Sequence, residues 1–354
     1  MYQAFYKLHG MPFQLTPDPG MLFPSKGHKR AMAYLLYGFE KAEGFVMITG
    51  AVGTGKTLLL QKLFEELEHR NIAVASVASA NLDGEDILPA VASAFELPYE
   101  RRSKEALLQD VKQYLVSLQA RKSHALLVVD EAQTLTPTAL EMLRILSNFE
   151  LKGQALLQIF LVGQAELRRT IISNHMEQLR QRIIASHRLD PMGEEESCAY
   201  ILHRLRAVGW RDDPHLPPEL FVGVFQASRG IPRKINLIMD RLLLHGYLEE
   251  LHSLGPAALA VVLDEMADEM AGLPPTLEEP TVPQGPDLAR AMSAPKRETE
   301  LDLLELKDDD LMMELMRERV RFRKMLRAMP GRSSDDDKAA MADGRDARSE
   351  WRRE

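Results

Sequence analysis

The chain has 354 residues, 45% hydrophobic and 27% charged, with a formal net charge of −8. That balance suits one large or two medium globular domains and lacks the basic field of a dedicated nucleic-acid binder. No run of about 18 uncharged apolar residues is present to form a membrane-spanning helix, and the single cysteine, Cys198, cannot close an internal disulfide, so a reducing cytoplasm is the expected setting.

The amino-terminal stretch Met1-Tyr2-Gln3-Ala4-Phe5-Tyr6 lacks the basic, apolar and small-residue blocks of a signal peptide. Leu15-Thr16-Pro17-Asp18-Pro19 reads as a stiff turn. His28 to Phe39 has helical spacing, with Met32, Leu35, Leu36 and Phe39 on one side. Phe45-Val46-Met47-Ile48-Thr49 reads as a buried strand, and Leu58 to Phe64 as a helix with an apolar stripe.

Between them lies Gly50-Ala51-Val52-Gly53-Thr54-Gly55-Lys56-Thr57, a full G-x-x-x-x-G-K-[ST] match. Strand, glycine loop and helix are the context this motif needs. The glycines let consecutive N–H groups point at phosphate oxygens, and the helix adds the positive end of its dipole. Lys56 can reach the β- and γ-phosphates, and the Thr57 hydroxyl can ligate Mg²⁺.

Ala73 to Ala78 reads as a second strand, and residues 84–95 and 103–120 as helices. Ala125-Leu126-Leu127-Val128-Val129 is a central strand of a parallel sheet, ending in Asp130-Glu131. Asp130 would hold Mg²⁺ through water, and Glu131 would polarise the attacking water. A guanine-reading Asn-Lys-x-Asp stretch is absent, so the expected nucleotide is ATP. Thr136-Pro137 starts another helix, Leu156 to Val162 is a fourth strand, and a short fifth lies near His187-Arg188-Leu189. This alternation predicts an α/β fold, a five-stranded parallel sheet between helical layers over residues 1–190. Residues 193–209, 216–228, 231–249 and 256–271 read as helices with no strand between them, an all-helical lid over 191–272.

Residues 273–299 are rich in Pro, Glu and Thr and read as a linker. The tail, 300–354, is expected to be largely disordered apart from an amphipathic helix over about 308–329. Leu311, Leu315, Phe322, Leu326 and Met329 share roughly one face, with Arg317, Arg319, Arg321, Arg323, Lys324 and Arg327 around it. Such a helix could dock on a partner or lie on an anionic membrane; packing back on its own domain, or remaining solvated, is the alternative.

Taken together, Pro12-Phe13-Gln14-Leu15-Thr16-Pro17-Asp18, Gly44-Phe45 with the glycine loop, Asp130-Glu131-Ala132-Gln133 and Leu161-Val162-Gly163-Gln164-Ala165-Glu166-Leu167 carry a family resemblance. Gln181-Arg182-Ile183 and Gly230-Ile231-Pro232-Arg233-Lys234-Ile235-Asn236 complete it. Over residues 1 to about 250 the chain resembles the ExeA/GspA-like (general secretion pathway protein A) AAA+ ATPases, and His28 to Leu35 looks most like the branch found with exosortase and exopolysaccharide loci.

The resemblance implies a P-loop NTPase core of the AAA+ type. It assigns Gln164 to positioning water or sensing phosphate, with a solvated loop amide as the alternative. It makes Arg182 the arginine that reaches a neighbouring subunit's nucleotide, with Arg180 and Arg188 as rivals. Arg233 would contact the nucleotide from the lid, and His28 would lie near the adenine or serve as a packed structural histidine. The implied protein is a homo-oligomeric ATPase serving envelope secretion or exopolysaccharide export, peripheral to the inner membrane at most. A DNA-associated transposition-type regulator is the alternative, disfavoured by the acidic charge and the lack of a DNA-binding module; a low-turnover nucleotide-gated scaffold is a third.

Overall fold

The computed structural model describes residues 1–78 and 81–271. The linker and amphipathic helix expected at 273–299 and 308–329 lie outside the described residues. Strands β1 (Phe45–Gly50), β2 (Ile72–Ala78), β3 (His124–Asp130), β6 (Gln158–Gly163) and β7 (Ile183–Leu189) form one sheet in the order β2-β3-β6-β1-β7. Every pairing in it is parallel. Strands covered on both faces must be apolar at successive positions rather than alternate ones. β1 is accordingly buried throughout, and Ala125 to Val129 of β3 likewise.

Parallel strands end on the same side, so the order alone assembles a site. β6 lies between β1 and β3, with Thr49 opposite Gly163 and Val129 opposite Leu161. The segments following β1, β3 and β6 therefore emerge side by side at the carboxyl edge, where such sheets bind ligands.

One face of the sheet packs on α4 (Ile87–Ala94), α5 (Lys104–Ala120) and α6 (Pro137–Ser147) through a continuous apolar cluster. Towards β1 and β7 lies α2 (Lys26–Lys41), whose Ser25 N-cap accepts from the His28 N–H. Its buried residues are His28, Ala31, Tyr34, Leu35, Gly38 and Phe39. Met32 and Leu36, expected on that face, are only half-buried. The stripe is set by size: a Cβ on Gly38 would fall 2.0 Å from Val46 Cγ2, so only glycine admits this approach. Helix α3 (Lys56–Leu67) follows the glycine loop. A short hairpin, β4 (Glu150–Leu151) with β5 (Gln154–Ala155), and helices α7 (Ala165–Ile172) and α8 (Glu177–Arg180) complete this part.

Four helices make the lid: α9 (Glu194–Ala207), α10 (Pro218–Ser228), α11 (Pro232–Leu248) and α12 (Pro256–Ala271). Its apolar cluster also takes in Tyr2, Tyr6, Leu8 and Phe13 from the amino terminus, where α1 (Tyr2–Phe5) lies. Tyr2 donates to Asp240 Oδ1 at 2.6 Å, and Tyr6 to the Leu251 carbonyl at 2.9 Å. The buried Arg204 donates to the carbonyls of Pro12 and Gln14, and Asn236 Nδ2 shares the latter at 3.3 Å. Tyr200 donates to Asn236 Oδ1 at 2.7 Å, closing a buried network in which each polar group meets a partner. The amino-terminal segment is thus built into the lid, although α2, next in the chain, packs on the sheet.

Candidate functional site

The loop after β1 takes its shape from two glycines, Gly53 at φ +81° and Gly55 at φ +93°, in the left-handed region open to glycine. Each also faces a close neighbour. A Cβ at Gly53 would lie 2.6 Å from Arg233 Cβ, and one at Gly55 would lie 2.8 Å from His28 Nε2. At Gly50 the limits are the Leu189 carbonyl at 2.8 Å and Thr54 Oγ1 at 2.9 Å. Thr54 donates to the Ala51 carbonyl at 2.9 Å, tying the turn. Ala51 and Val52, at the crest, are exposed.

Lys56 opens α3 with its side chain folded back, its Nζ donating to the Gly50 and Ala51 carbonyls at 3.0 and 3.1 Å. Burial holds this ammonium below its ordinary value, and the carboxylates of Glu131, Asp130 and Glu166 oppose that shift.

Beside it, the Thr57 hydroxyl donates to Asp130 Oδ2 at 3.1 Å. A hydroxyl and a carboxylate from the ends of α3 and β3 form the hard oxygen donor set that Mg²⁺ takes together with waters and phosphate oxygens. Glu131 follows at φ +52°, a left-handed backbone that costs a non-glycine residue about 1–3 kcal/mol. Its N–H donates to Asp130 Oδ1 at 2.9 Å, while its own carboxylate turns to Gln133, whose Nε2 donates to Oε2 at 2.6 Å. Gln164, at the end of β6, brings its Nε2 to 3.4 Å from the same oxygen. Lys56, Thr57, Asp130, Glu131 and Gln164 thus come together from three strand ends. Gln133 joins them unannounced, because the sequence marks it only as the last letter of a motif.

Arg233 begins α11 beside the loop, and its N–H donates to the Gly53 carbonyl at 3.2 Å. Its side chain is exposed. His28 lies on the opposite flank, 7% exposed, with Nδ1 2.7 Å from Ser25 Oγ and Nε2 buried against the loop backbone. Burial lowers its pKa, which keeps the ring neutral.

Arg182 is not with this group. It immediately precedes β7, where its carbonyl accepts from Phe45 N–H at 2.8 Å, and its guanidinium donates to the Ser147 carbonyl at 3.3 Å. Phe45 begins β1 and the loop follows its end, so a strand of about 17 Å at 3.3 Å per residue separates them. Arg180 donates to the Ile172 carbonyl at 3.1 Å. Arg188 pairs in register with Thr49, at the loop end of the sheet, and is held by Asp190 at 2.7 Å.

Residues 40–171 fit the AAA domain family. The general secretion pathway protein A of Aeromonas hydrophila is 36% identical over 255 residues, 72% of this chain and 46% of that protein. The chain therefore spans about half the length of that curated relative. The ORC2 protein of Aeropyrum pernix superposes with a TM-score of 0.55 at 18% identity over 74% of both chains. Cdc6p from Pyrobaculum aerophilum gives 0.53 at 18% identity, over 73% of this chain and 74% of its own. These two likenesses speak for the fold alone. With the AAA match laid over the glycine loop and acidic strand, and the bacterial relative reaching well beyond them, the chain belongs to the ExeA/GspA-like family of AAA+ ATPases.

Proposed function

We propose that this protein binds Mg-ATP at the loop 50–57 and hydrolyses it, as an oligomer that serves an envelope secretion or exopolysaccharide export system. The observation that carries the chemistry is the convergence of Lys56, the Thr57–Asp130 pair at 3.1 Å and Glu131 at the ends of β1 and β3, which flank β6. Loop N–H groups and Lys56 would hold the phosphates; Thr57 and Asp130 would hold Mg²⁺, which when bound supplies charge neutralisation between the β- and γ-phosphates. Glu131 would orient a water whose oxygen bonds to the γ-phosphorus. The bond to the bridging oxygen then breaks, its electron pair leaves with ADP, and the water's proton passes to Glu131. Gln164 would report on the γ-phosphate, Arg233 would carry nucleotide state to the lid, and His28 would shape the loop's flank by the adenine.

The distance of Arg182 from its own loop supports a role in trans, hence an oligomer with shared sites. The assignment to export follows the relative from Aeromonas hydrophila, which is called a general secretion pathway protein. Among the described residues no helix is long and apolar enough to cross a membrane. Lys56 acts on bound phosphate and Glu131 in the chemical step. Lys56→Ala is therefore expected to lose ATP affinity, and Glu131→Gln to keep affinity and lose turnover. Fluorescent-ATP titration and phosphate release test both. Normal turnover by the Glu131 variant would remove it from the mechanism.

A further inference from the structure

We propose that Gln133 is a positioning residue for hydrolysis, one that sets which oxygen of Glu131 faces the attacking water. This rests on the hydrolytic reading above. Residues Ala132–Thr134 form a single 3-10 turn immediately after Glu131, which returns the Gln133 side chain to the acidic pair. Both ends of its amide are engaged. Oε1 accepts from the Gln164 backbone N–H at 2.9 Å, and Nε2 donates to Glu131 Oε2 at 2.6 Å.

The orientation of a side-chain amide must be inferred from its partners. Here a backbone N–H can only donate, so the oxygen faces Gln164 and the nitrogen is left to Glu131. Gly163 makes room for this, since a Cβ there would lie 2.7 Å from Gln133 Oε1.

The Gln164 side chain approaches that same Oε2. Among the described residues Glu131 Oε1 accepts no hydrogen bond. One carboxylate oxygen is thereby tied down by amide donors, and the other keeps its lone pairs for a proton, as a general base requires. Gln133 also joins Glu131 to the end of β6, so a shift of Gln164 on meeting phosphate would be passed to the base through one side chain.

The test uses the full chain with Gln133→Leu, which removes both hydrogen bonds, and Gln133→Met, an unbranched apolar side chain of similar length that likewise donates nothing to Glu131. The second variant serves if the first does not fold. Turnover is expected to fall about 10–100-fold in each, the scale of a misplaced catalytic group, with nucleotide affinity and KM unchanged. In a Glu131→Gln background Gln133→Leu is expected to add no further loss, because it acts through the group already removed. Wild-type turnover in either folded variant overturns the proposal, as does a further loss in the Glu131→Gln background. Failure of the hydrolytic reading looks different: wild-type protein releases no phosphate, or Glu131→Gln turns over normally, and the two readings then fall together.

Discussion

At His28 two demands meet on one ring. Its Nδ1 is bound to the helix-capping Ser25, and its Nε2 fills the space that Gly55 leaves open. Protonation would put a charge in this enclosed place. Burial lowers the folded-state pKa from 6.5, whereas the unfolded chain takes up the proton at the ordinary value. The unfolded state therefore binds more protons as pH falls through that value, and stability drops. The contribution of His28 is fully present above pH 6.5 and is lost on acidification. Urea midpoints measured on both sides of that pH are expected to fall in the acid for the wild type, and to fall less for His28→Gln. Equal pH dependence in the two proteins would take His28 out of the acid response.

Among the elements, the joint between sheet and lid is a close backbone contact. Gly230, at φ +69°, exchanges backbone contact with Met192, and a Cβ on it would fall 1.9 Å from the Met192 carbonyl oxygen. Gly153 in the β4–β5 turn has a similar φ of +75° but nothing within 4 Å of the added atom. Gly153→Ala should therefore cost only its left-handed backbone, about 1 kcal/mol, while Gly230→Ala adds an overpacking term of about 1–3 kcal/mol. At about 2–4 °C per kcal/mol for a chain of this size, Tm separates the two, and equal losses would contradict the contact.

The long elements were legible because their apolar runs match burial on two faces, as in β1 and β3, or one helical stripe, as in α11. The loop 50–57 and Asp130-Glu131 were legible because their chemistry is written in consecutive residues. What escaped reading depends on distant partners. The stripe of α2 runs through Gly38 because Val46 approaches it. Gln133 matters because Gly163 and Gln164 lie beside it. The two-residue strands of the β4–β5 hairpin are too short for periodicity to mark.

At the scale of the whole molecule, Arg182 stands at the opposite end of β1 from its own loop. Under the proposed function an arginine so placed would serve a nucleotide on another copy, and hydrolysis would then depend on assembly. Phosphate release per chain is expected to rise with protein concentration. Arg182→Ala should lower turnover about 10³–10⁵-fold while sparing affinity, the range for a guanidinium supplied in trans. Mixing Lys56→Ala chains with Arg182→Ala chains should restore activity, since each brings what the other lacks. No recovery in mixtures shown by light scattering to assemble would assign the trans role elsewhere.

The lid, finally, is made from both ends of the described chain, with Tyr2 bonded to Asp240 and Tyr6 to Leu251. During synthesis each tyrosine leaves the ribosome well ahead of its partner, which follows 238 or 245 residues later in the sequence. The strands of the sheet all emerge in between. Chains grow from the amino terminus at about 5–20 residues per second, so these first residues wait of order ten seconds or more. Through that interval Tyr2, Tyr6, Leu8 and Phe13 lack the lid residues that cover them in the fold, so a segment made before the sheet is enclosed only after it.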